Sequence, residues 1–182
     1  MPDYAGPDTP PPPFLHTWSR HSGLREAKVA TGGAVAAASL TATANQAMAV
    51  PIHVPWPYPV RRVFWVNGSA ASGNRDFGIY TMDSSPRRIY STGSTAASGT
   101  SAPQYVTPTA FTLPPGDYYF IFNSGGTTNA LFGNAVTAAL QRYAGIRQQA
   151  VGAVAIPDPF VPATPTVATV GIWGVTSTPS GF

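Results

Sequence analysis

The 182-residue chain contains no cysteine, which excludes a disulfide framework and a thiolate metal site. Charge is scarce: Asp, Glu, Lys and Arg make up 9% of the residues, against about 25% in an ordinary soluble domain. A monomer that must stay dispersed in water keeps a charged surface. The shortage therefore points to a surface covered by neighbours, or to a Ser/Thr-rich secreted domain solubilised by hydroxyls. Lys28 is the single lysine and Glu26 the single glutamate. That bias, with abundant Ala, Gly and Pro, fits a GC-rich genome and carries little chemistry. No apolar run approaches the ~18 residues of a membrane-spanning helix. Met1-Pro2-Asp3-Tyr4 lacks the basic and then apolar stretches of a secretory leader. The expectation is a protein made in the cytoplasm, with no membrane insertion.

Catalytic patterns are missing as well. There is no Gly-x-Ser-x-Gly elbow, no phosphate-cradling loop and no His-Glu-x-x-His. His16, His21 and His53 are the only histidines; the first two do not share a helical face, and His53 reads as a strand residue. Asp76, Asp83, Asp117 and Asp158 are scattered. A glycosidase needs two carboxylates held ~5–10 Å apart, and Asp76 with Asp117 is the only pair that reads as able to meet. Asn67, Asn74 and Asp76 are too few for a calcium loop. The net charge is +3, but the basic residues come as pairs (Arg61-Arg62, Arg87-Arg88) and singles. No stripe suits a nucleic-acid backbone. No catalytic residue, metal or cofactor is expected.

What is present is a β pattern. Residues 1–45 stand apart: four prolines, Pro10 to Pro13, favour an extended segment. Phe14-Leu15-His16-Thr17-Trp18 follows, and then an Ala/Gly/Ser/Thr-rich stretch that cannot form its own core. The expectation is an attachment arm anchored by Phe14, Leu15 and Trp18; the alternative is a disordered tail. Residues 46–182 read as one all-β domain, an antiparallel β-sandwich of jelly-roll or immunoglobulin-like type with an extended C-terminal segment and a last strand.

Within it, Met48 to Pro55 reads as an edge or irregular strand because of its prolines. Val60 to Val66 reads as one strand. Arg75 to Met82 places Phe77 and Ile79 on one face, with Asp76, Gly78 and Tyr80 on the other. Asp117 to Asn123 is apolar on both faces, which predicts a central strand. Asn134 to Tyr143 fits a helix capped by Asn134, or a strand. Val167 to Val175 reads as the last strand.

Several pieces carry individual fold-building roles. Gly78 permits a bulge or a close approach. Pro115-Gly116 makes a tight corner. Tyr118 or Tyr119 is placed to hydrogen-bond back across that corner. Flat aromatic faces at Trp56, Tyr58 and Tyr90, and also Trp65 and Trp173, suit sugar stacking, unless they fill the core or an interface.

The order of these pieces resembles a β-sandwich module of tailed-bacteriophage virion proteins. Met48-Ala49-Val50-Pro51-Ile52-His53-Val54-Pro55 comes first, then Arg75-x-x-Gly78-Ile79-Tyr80, Ser91-Thr92-Gly93-Ser94, and Leu113-x-Pro115-Gly116-x-Tyr118-Tyr119-Phe120. The late Ile156-Pro157 segment closes the series. The likeness covers roughly residues 46–175. It implies a non-catalytic accessory component of the tail, fibre, neck or head surface, located in the virion. The implied partners are other virion proteins and copies of itself, the expectation being a homo-oligomer, taken as a trimer. The alternative implication is an appendage that binds a host surface glycan.

Overall fold

The segment Gly116–Ser124 takes the central place that its two apolar faces predict. The computed structural model describes residues 14–16, 38–126, 128–135, 141–142, 144–166 and 169–177. Gly116–Ser124, strand β11, runs antiparallel between β3 (Gln46–Val54) and β6 (Asn74–Thr81). Outside β3 lies β13 (Arg147–Ala150), and outside β6 lie β7 (Arg88–Ser91) and β8 (Thr95–Ala96). A second sheet places β15 (Trp173–Thr176) between β1 (Phe14–His16) and β5 (Arg62–Val66), with β9 (Pro103–Val106) beyond β5. Two small sheets complete the described residues. One pairs β4 (Tyr58–Val60) with β10 (Phe111–Leu113); the other sets β12 (Ala130–Ala135) between β2 (Ala38–Thr41) and β14 (Thr169–Gly171). Every pairing is antiparallel.

Strand periodicity sorts the side chains of β6 and β11 into two cores. Phe77, Ile79, Tyr118, Phe120 and Phe122 enter the larger one, where they meet Val63 and Trp65 from β5 and Trp173 and Val175 from β15. Phe122 stacks on Trp173 at 5.0 Å between ring centroids and also meets Trp65 at 5.8 Å. Phe77 and Phe120 meet edge-on at 5.6 Å. Fully burying one such side chain contributes about 1.5–3 kcal/mol.

The smaller core lies on the opposite face of the same sheet. Ala47, Ala49, Tyr80, Tyr119 and Ile121 are covered there by Ile156 and Phe160. The proline-broken stretch 151–166 is thus a strap laid over the sheet. Backbone bonds secure both its ends: Val151 N donates to Asn45 O, and Gln148 and Ala163 exchange a pair.

Several sequence expectations change in detail. The strand begun at Met48 is interior where β13 flanks it, along Gln46 to Ala49, and an edge only beyond that. Pro51 falls just past the last β13 pair, where its missing N–H leaves no gap in a ladder. Val60 to Val66 is two strands, interrupted at Arg61, whose N–H donates to Thr176 O. The last strand is also divided. Ile172 stands between β14 and β15, its N–H bonding Phe132 O and its carbonyl accepting from Val66 N, so that the chain passes from one sheet to the next. Asn134 is no helix cap; it pairs with Val170 inside β12. Most of the remaining helix candidate, 136–140 and 143, lies outside the described residues. Within the stretch read as the arm, β1 and β2 both pair with strands of the same chain.

Candidate functional site

The signature residues are built into the fold. Gly78 lies under the Tyr80 ring: a Cβ there would stand 2.6 Å from Tyr80 Cε2. The register shifts between Ile79 and Tyr80 opposite β7, so the expected close approach and bulge both occur. Burial pushes the Tyr80 hydroxyl well above its ordinary titration range. That hydroxyl donates to Pro157 O at 2.9 Å, with Ile156 O at 3.3 Å. Leu113 is fully buried opposite Tyr58. After the exposed Pro115, Gly116 opens β11 opposite Val54. Of the two tyrosines beyond the corner, Tyr118 closes it, donating to Pro114 O at 2.8 Å; burial raises its pKa. Tyr119 packs under the strap instead.

The strap is held by polar side chains from β6 and β11. Asp76 is 0% exposed. Its Oδ2 accepts from Ile156 N at 2.9 Å, and its Oδ1 accepts from the Ser91 and Thr92 hydroxyls at 2.8 and 3.2 Å. Asn123 Nδ2 donates to Ala153 O and Val154 O, at 3.1 and 2.8 Å. Asp76 and Asn123 are register partners, so one cross-strand pair grips two points of the strap's backbone. Sequence reasoning missed both roles, weighing Asp76 as a partner for Asp117 or as a calcium ligand. The usable signal was a carboxylate sharing one face of the strand with Gly78 and Tyr80.

Arg75 points the other way along the strand and is also 0% exposed. Its guanidinium donates to Ser124 Oγ and Ala130 O, both at 3.3 Å. Burial lowers its pKa to about 10. Gln104 anchors the loop before β9: its Oε1 accepts from Trp65 Nε1, Asn67 Nδ2 and Ser98 N, and its Nε2 donates to Ala96 O.

The carboxylate pair considered for hydrolysis does not assemble. Asp76 is opposite Asn123, six positions along β11 from Asp117, a separation of about 20 Å at strand rise. Asp117 instead sits across from His53, with Nδ1 and Oδ1 at 2.9 Å on an exposed surface. Among the described residues no three His, Asp or Glu side chains gather where a metal ion could sit, and no helix is long and apolar enough to cross a membrane.

The aromatic candidates divide. Tyr58 is 0% exposed in the larger core, and Trp65 and Trp173 are buried with it. None of the three offers a face to a sugar, because each is buried in that core. Trp56 is half-buried. Tyr90 is half-buried too, and its ring packs against Phe111 at 5.5 Å. Burial raises the Tyr90 pKa, and Asp76 adds to the shift.

For the arm, Phe14 and Leu15 lie in β1 opposite Thr176 and Val175. Trp18 lies outside the described residues. Of the anchors, Phe14 and Leu15 are thus met by the outer edge of β15, while β2, later in the same stretch, pairs with β12. Comparison with protein-family models finds no match to this chain, and no curated protein matches it either.

Proposed function

We propose that this chain is a tailed-bacteriophage virion structural protein, an accessory surface component that assembles through its N-terminal arm. The two larger sheets form a β-sandwich in this reading, since one face of each contributes to a single aromatic core. The observation that carries the proposal is the strand pairing of Phe14–His16 on the edge of β15. An apolar N-terminal segment far in sequence from the strand it pairs with engages a sheet edge through its backbone, as a docking arm would. A chain with only 9% charged residues fits covering by neighbours. The non-catalytic reading rests on the separation of Asp76 from Asp117 and on Asp76 being committed to the strap.

The glycan-binding alternative keeps Trp56 and Tyr90 but loses Tyr58, and half-buried rings give a stacking platform little area. The test is assembly itself. Removing residues 1–37, which spares β2, should abolish incorporation into particles while the remaining sheet content survives by circular dichroism. Unchanged incorporation, or turnover of a cell-wall glycan by the isolated chain, sinks the proposal.

A further inference from the structure

We infer that the outer edge of β15 is a strand-acceptor site whose occupant, in an assembly, is the Phe14–His16 strand of a second copy of this chain. The inference rests on the assembly reading above and names the contact that reading leaves open.

β15 is bonded to β5 on one side, and its four residues are all buried. Among the described residues its other side is paired by β1 alone, through Phe14↔Thr176, Leu15↔Val175 and His16↔Gly174. Stripped of β1, this edge would present bare N–H and C=O groups beside the larger core, the kind of template that recruits another strand. Among the described residues β1 pairs with no other strand. Three residue pairs make up its ladder among the described residues.

The tether decides which copy supplies the strand. Residues 17–37 separate β1 from β2, a run of 21 residues. Extended, such a run spans up to about 70 Å. A folded unit of this length is only about 40 Å across. The strand can thus reach its own β15 or a neighbour's. Both ladders have the same residues and the same register, so they differ chiefly in effective concentration. A linker of this length supplies roughly millimolar strand to its own edge, and subunits packed in an assembly supply comparable amounts to each other. Exchange of an identical element under those conditions costs little. The dilute protein closes on itself, whereas the assembled one trades arms.

The absence of cysteine makes the test clean. Leu15→Cys and Val175→Cys are made in separate proteins, mixed at about 1 mM each, unfolded, refolded together and oxidised. Exchange predicts a mixed dimer whose disulfide peptide joins positions 15 and 175, in clear excess over any 15–15 dimer. The double variant refolded when dilute should close the same bond within one chain. Phe14→Cys with Thr176→Cys repeats both arms one register step away, since adjacent antiparallel pairs differ in Cβ spacing and one suits a disulfide better. If both cysteine sets close within the chain but give no mixed dimer, exchange is wrong. If neither closes at all, the acceptor edge is wrong. Failure here with arm-dependent particle incorporation intact leaves the assembly reading standing; a mixed dimer with arm-independent incorporation does the reverse.

Discussion

The two faces of the central sheet are held by different physics. One face meets a second sheet, and its cohesion comes from aromatic area: Phe122 between Trp65 and Trp173, with Phe77 against Phe120. The other meets a strap with only two large apolar anchors, Ile156 and Phe160. There the closure depends on side chains that capture backbone: Asp76 on Ile156 N, Asn123 on Ala153 and Val154, Tyr80 on Pro157. The contrast suggests a division of labour. Apolar burial is cooperative and global, while each captured backbone bond is local, so the strap should open before the sheets separate.

The comparison breaks most visibly at Phe122. Phe122→Ala should cost about 3–5 kcal/mol and shift the whole denaturant transition to lower midpoint. A loss below about 1 kcal/mol would mean that the two sheets do not share that core. Asp76→Ala comes next: a lost charge-assisted bond and an orphaned Ile156 N–H should cost about 1.5–3 kcal/mol. Its signature differs, because amide exchange at Ile156 should accelerate well before exchange along β11 does. Equal acceleration at both sites would erase the distinction between faces.

The smallest effect is alkaline. Tyr80 titrates above its ordinary value of 10 when folded, so the stability it contributes is full below that pH and is lost as pH rises further. Tyr80→Phe should therefore flatten the decline in melting temperature between about pH 9 and about pH 11. Arg75 works in the opposite sense: its pKa falls from 12.5 to about 10 on folding, so its contribution improves with pH across that interval. An unchanged slope in the Tyr80 variant would show that the strap leaves this hydroxyl hydrated.

Much of the larger core was readable from residue order. The double-sided apolarity of Asp117 to Asn123, the faces of Phe77 and Ile79, the Gly78 approach and a tyrosine-closed corner all follow from local sterics and alternation, though not which of Tyr118 and Tyr119 closes it. What escaped depends on partners far along the chain. The role of Asp76 was not legible because strand alternation assigns a face but does not say what covers it, and the covering segment comes 80 residues later. Tyr58 and Trp56 sit two residues apart in a proline-rich link with no periodicity to separate a buried ring from a half-exposed one. The distance between Asp76 and Asp117 needed the register, which neither strand states alone. The prolines of Met48 to Pro55 predicted an edge or irregular strand, but β13, far along the chain, makes it interior as far as Ala49.

Finally, the order β1-β15-β5-β9 has a consequence for how the chain is made. The strand that joins the earliest segment to the middle of the sheet is the last of those described. During synthesis β5 and β9 emerge with the position beside β5 vacant, and β1 emerges with nothing to pair with. Apolar faces and an open edge then wait, exposed, until residue 176 leaves the ribosome. Newly made copies on the same message are therefore at their most adhesive before they are finished. A chain truncated ahead of Trp173 should aggregate instead of folding into a smaller version of the same domain.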